Sequence, residues 1–151
     1  MSYNKQDSDL DSDQKMVISS MRKFLENSER DAHTIEQLVE IEKNTNSEGK
    51  QKINTLISDF KRISYSSNWV EFEILFEKSH SSFYEKLCIR FPMLSNKERK
   101  LCALLRLNLN SKEIALFTFQ SDEALKKARL RLRQKFAISR EVNLTTFLQN
   151  I

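Results

Sequence analysis

The sequence predicts an all-α fold: an N-terminal helical hairpin or coiled-coil segment, then a domain of four short helices. Three observations carry this. Glycine and proline occur once each, as Gly49 and Pro92, in 151 residues, and an all-β chain needs such residues at its hairpins. Leu, Lys, Glu, Ile and Arg are abundant, and all suit helices. Apolar residues recur at steps of three and four along most of the chain.

Residues 1–15 are polar and hold four aspartates, which predicts a disordered acidic tail. They lack the apolar core of a signal peptide, and no later stretch approaches membrane-spanning length. A helix is expected from Met16. Ile18, Met21, Leu25, Ser28, Ala32, Ile35 and Val39 alternate steps of three and four, an a/d seam with Ser28 as its weak position. Residues 44–49 break the pattern, which resumes at Ile53, Leu56, Ile57, Phe60 and Ile63. Residues 16–66 therefore form either a helical hairpin or the dimerising seam of a homodimer. Two ordinary amphipathic helices packed on the rest of the chain would show the same spacing.

Residues 65–68 read as a polar link, and 69–93 as an aromatic helical connector. Trp69, Phe72 and Phe76 share one helix face, and Phe83, Leu87 and Phe91 share another, with residues 79–82 between them. Aromatic stripes at this spacing are core. Pro92 stops the helix before it. Ser95 and Glu98 then have the spacing of a capping box, opening a helix through Leu101, Cys102, Leu104, Leu105 and Leu107. Asn110 or Ser111 caps a short helix with Ile114, Ala115 and Leu116. Residues 117–120 make a turn, and Ser121 caps the next helix. A last short helix holds Leu144, Phe147, Leu148 and Ile151.

The charge is divided unevenly. From residue 96 onwards there are twelve Lys/Arg against five Asp/Glu, whereas residues 1–95 hold thirteen against sixteen. The stretch from Lys126 to Lys135 holds six basic side chains and no acid. Leu125, Ala128, Leu132 and Phe136 form its apolar stripe, and the cations lie on the other faces. Such a helix suits a polyanion, with nucleic acid first. Basic residues late in a helix also complement its C-terminal dipole, which accounts for Arg133 and Lys135 without any ligand. Lys126, Lys127 and Arg129 near its start have no such explanation.

Enzyme chemistry is not expected. Gly49 stands alone, so no glycine-rich phosphate loop exists, and His33 and His80 lack metal spacing and read as surface residues. Cys88 and Cys102 lack zinc or redox partners and read as buried free thiols of a reducing compartment. No catalytic residue, metal or cofactor is assigned, and a cytoplasmic location is expected.

Leu94-Ser95-Asn96-Lys97-Glu98-Arg99-Lys100, Ser111-Lys112-Glu113-Ile114-Ala115 and the stretch from Ser121 to Phe136 together resemble the LuxR/FixJ-type helix-turn-helix. The resemblance covers about residues 94–150. The preceding block from Asn68 onwards is similar to the C-terminal part of Bacteroidetes regulators that often carry tetratricopeptide repeats and a membrane helix. This sequence holds neither. It departs from the family in having Asn108-Leu109-Asn110 where a glycine turn is usual, and asparagine is the next residue to tolerate a left-handed backbone. Ala124-Leu125 replaces the usual Thr-Val pair, which removes a hydroxyl.

The resemblance implies a transcriptional regulator whose basic helix, about 121–136, enters the major groove of double-stranded DNA. Lys126, Lys127, Leu130 and Glu123 are assigned to the base-facing side. Lysine reaches guanine acceptors, leucine a thymine methyl, and glutamate a cytosine amine. Lys112, Arg129, Arg133 and Ser121 are assigned to phosphates, which position without reading sequence. Homodimerisation through 16–66 matches two half-sites. The alternative is a protein-interaction adaptor, a degenerate or sigma-region-four-like helix-turn-helix, that engages RNA polymerase or another regulator through its helical N-terminal segment.

Overall fold

The computed structural model describes residues 3–151, with the side chains at 3–11, 13, 14 and 18 excepted. Among the described residues every regular element is helical: α1 (Tyr3–Lys43), α2 (Ser47–Ser79), α3 (Phe83–Arg90), α4 (Asn96–Arg106), α5 (Ser111–Thr118), α6 (Asp122–Phe136) and α7 (Leu144–Gln149). None of them is long and apolar enough to cross a membrane. The chain divides into two compact units. One holds Met1–Leu75 with Leu116–Phe119, the other Phe76–Ala115 with Gln120–Ile151. The division runs through the aromatic segment 69–93 rather than on either side of it.

In the first unit, α1 starts well before Met16, so the backbone of 3–15 is helix where the composition predicts a tail. No glycine or proline precedes Gly49, so nothing stops the helix from running back. The break falls where the pattern lapses. Asn44 and Thr45 N–H close on the Ile41 and Glu42 carbonyls, and the Asn46 side chain accepts from Gly49 N–H at 2.9 Å. A Cβ at Gly49 would meet the Thr45 methyl, so a larger residue there displaces the Thr45 side chain.

Residues 65–68 are not a link, because α2 continues through them to Ser79. No helix breaker stands there, and Trp69 and Phe72 bury the same helix face. Phe117 organises this unit. Its ring lies 6.3 Å from Phe24, 5.5 Å from Trp69 and 5.7 Å from Phe72. Phe24 of α1 and Trp69 and Phe72 of α2 thus meet the same ring. The buried face of α1 is Val17, Met21, Phe24, Ser28 and Ile35. Phe24 takes the place expected of Leu25, which is half-buried, and Ile18 lies outside the described side chains. Ser28, the weak seam position, is fully buried, and its hydroxyl has no hydrogen-bond partner, an arrangement that costs about 1–3 kcal/mol.

The second unit packs α3, α4, α6 and α7 around Phe83, Leu87, Leu101–Leu105, Leu132, Phe136 and Leu148. Each of the leucines and phenylalanines contributes about 1.5–3 kcal/mol by leaving water. Phe91, Phe136 and Phe147 meet pairwise at 4.6–6.1 Å. Arg106 donates to the Leu148 carbonyl, and Gln149 Nε2 returns a bond to the Arg106 carbonyl at 3.2 Å, so α4 and α7 lock end to end. His80 is not a surface residue. It is half-buried, stacked 4.5 Å from the Phe76 ring, and burial with the nearby Arg106 charge lowers its pKa. Cys102 is buried and Cys88 half-buried, both free.

Candidate nucleic-acid interface

Three caps place α4, α5 and α6. Ser95 accepts from Glu98 N–H while the Glu98 carboxylate accepts from Ser95 N–H at 2.7 Å, a complete capping box. Asn110 and Glu113 make the same reciprocal pair at 2.9 and 2.8 Å. Asn110 rather than Ser111 therefore starts α5. Before it, Asn108 is left-handed, with φ 61°. Leu109 N–H reaches the Leu104 carbonyl and Asn108 N–H the Leu105 carbonyl, which closes α4 as a Schellman turn. Ser121 accepts from Ala124 N–H at 3.2 Å and opens α6.

Leu125, Leu132 and Phe136 bury one stripe of α6, and Ala128 is half-buried. The opposite side presents Glu123, Lys126, Lys127, Leu130 and Arg131, all exposed, with Leu130 at 43%. Asp122 and Glu123 occupy the first turn, where carboxylates complement the helix dipole. Ser121 and Lys112 are also exposed. The Ser121 oxygen is engaged in its cap, so only its hydroxyl hydrogen remains to donate.

The two arginines expected at phosphate have internal partners. Arg129 Nη1 donates to Ser111 Oγ at 2.6 Å and its Nε is buried without a partner. Burial, then the neighbouring Arg133, lowers its pKa. Arg133 Nη1 donates to the carbonyls of Ser139 and Val142 at 2.8 and 2.6 Å. Lys135 also leaves the cationic face: it bonds the Glu98 carboxylate at 2.7 Å and the Met93 carbonyl at 3.1 Å. The late basic residues thus hold the domain together, as helix-end cations with carbonyl and carboxylate partners.

One residue of this surface escaped the sequence reading. Arg140, in the loop after α6, is exposed and lines a cleft of about 570 Å³ with Lys126, Lys127, Arg129, Leu130 and Arg133. It belongs to no periodic pattern, and its neighbour Glu141 masks it in any local charge count. Among the described residues no cluster of His, Cys, Asp or Glu could hold a metal ion. No family model matches this chain, and no curated protein or solved structure matches it significantly.

Proposed function

We propose that this protein is a DNA-binding transcriptional regulator of LuxR/FixJ-like type that inserts α6 in the major groove. The observation that carries the reading is the outward face of α6. Lys126, Lys127 and Arg131 are exposed there, and among the described residues none has an ion pair. The opposite stripe of the same helix is core. A helix held by one face and cationic on the other is built to meet a polyanion. On this proposal α5, capped by Asn110, and the turn at Phe119, with φ 54°, serve as the scaffold half of a helix-turn-helix. Lys126, Lys127, Leu130 and Glu123 then meet base edges, and Lys112 meets phosphate.

The double substitution Lys126→Glu with Lys127→Glu tests this. It is expected to abolish the electrophoretic shift of duplex DNA while leaving helicity and thermal unfolding unchanged, because both side chains are exposed. Unaltered binding by the double variant overturns the recognition-helix assignment.

A second reading, the protein-interaction adaptor, has its own support. Leu56, Ile63 and Val70 are exposed on α2 at steps of seven, followed by Ile74. An apolar seam of this kind suits a second helix, from another copy or from a partner such as RNA polymerase.

A further inference from the structure

The loop between α6 and α7 is shaped to present one cation. Ala137 takes a left-handed backbone with φ 54°. Ile138 N–H bonds the Arg133 carbonyl and Ala137 N–H the Gln134 carbonyl. The chain therefore turns sharply at the end of α6. Arg133 then reaches forward and donates to the carbonyls of Ser139 and Val142, the residues on either side of the 140–141 pair. A planar guanidinium that joins two carbonyls across a tight loop fixes that loop firmly. The residue held inside it is Arg140.

Arg140 is exposed and, among the described residues, has no hydrogen bond or ion pair. It lines the 570 Å³ cleft beside Lys126 and Lys127, and no carboxylate lines that cleft. The adjoining cleft, about 310 Å³, holds Arg129, Arg133 and Arg140 with Glu141. The concentration of positive charge is therefore on the side that carries the exposed face of α6. Uncompensated cations in a concavity favour an anion, and the guanidinium fork matches the two free oxygens of a phosphodiester.

Resting on the DNA reading above, we infer that Arg140 binds a backbone phosphate and that Arg133 is the positioning residue that holds it there. The phosphate role that the sequence assigns to Arg133 passes to the side chain that Arg133 orients. Arg129, tied to Ser111, shapes the floor of the same cleft.

The test is the salt dependence of binding between the full chain and a fluorescein-labelled random-sequence duplex, followed by anisotropy. Each phosphate contact contributes about 0.9 to the slope of log K against log salt. Arg140→Ala is expected to make the slope shallower by about 0.9 and to weaken binding alike on every duplex sequence. Arg140→Lys is expected to keep the wild-type slope. Arg133→Lys keeps the charge but loses the two-carbonyl clamp, so it is expected to lose as much slope as Arg140→Ala. Lys61→Ala, on α2, is expected to change nothing. If the wild type binds and Arg140→Ala keeps its slope, the phosphate role falls while the DNA reading stands. If Arg133→Lys keeps the slope and Arg140→Ala loses it, the positioning role falls. If the wild type binds no duplex at all, the DNA reading falls and Arg140 with it.

Discussion

At the scale of single residues, this chain makes its tight reversals without glycine. Asn108, Phe119 and Ala137 all have positive φ, and only asparagine tolerates that region readily. A Cβ in a left-handed backbone costs about 1–2 kcal/mol. The Schellman bonds at Ala137 and the Arg133 clamp beyond it must outweigh that strain. Ala137→Gly is therefore expected to raise stability by about 0.5–1 kcal/mol, the relieved strain being partly offset by the freer unfolded chain. The urea midpoint measures it, and a lower midpoint counts against the left-handed cap. The same scale shows how limited charge counting is. Arg133, Lys135 and Arg140 look alike in sequence, yet the first two are bound to carbonyls or a carboxylate and the third is open to solvent.

At the scale of elements, α4 and α6 are joined through Glu98. Its carboxylate caps Ser95 N–H and pairs with Lys135 at 2.7 Å. Burial works against its charge, but the Lys135 ammonium and the Ser95 donors outweigh burial and hold its pKa below the ordinary value. The sign follows from the lowered pKa. Stability from this group is complete above the ordinary carboxylate value of 4.5 and is lost as pH falls through the lower folded value. Glu98→Gln is expected to cost about 1–3 kcal/mol at neutral pH. The gap between variant and wild type should close as pH drops below about 4.5. Denaturant unfolding at several pH values reads this directly, and a gap that is constant with pH removes the ion pair from the account. The cap itself was legible as Ser95 and Glu98 three apart. Lys135 was not, because thirty-seven residues separate it from Glu98.

At the scale of the whole molecule, the basic excess lies from residue 96 onwards and the slight acidic excess before it. That division fits our proposal of a DNA-contacting part behind a helical part that associates. Leu56 and Ile63 are exposed although both belong to the helical pattern of α2, and exposed Val70 continues their row; water is a poor environment for such a row. Pairing of two copies along this row gives light scattering a clear expectation: twice the 17.9 kDa chain mass for the wild type, and the chain mass for Leu56→Lys with Ile63→Lys. A monomeric wild type overturns the pairing of copies and leaves this row to a different partner.

The all-helical fold, the break near Asn44, the caps at Ser95 and Ser121, and the buried stripe of α6 are legible in the order of residues alone. All of these follow from local preference and from spacing within a single helix, which a linear reading captures. The tertiary structure alone decided the rest. It carried α2 through 65–68 into the segment whose Trp69 and Phe72 are buried. It set the Phe117 ring against Phe24 and Trp69, residues far apart in sequence. It also separated the cations of the basic helix into those with internal partners and those left open, and it brought Arg140 beside Lys126 and Lys127. A charge has no periodicity that reveals its partner. Only the folding of distant carbonyls and carboxylates onto the helix decides which cations remain free for a ligand.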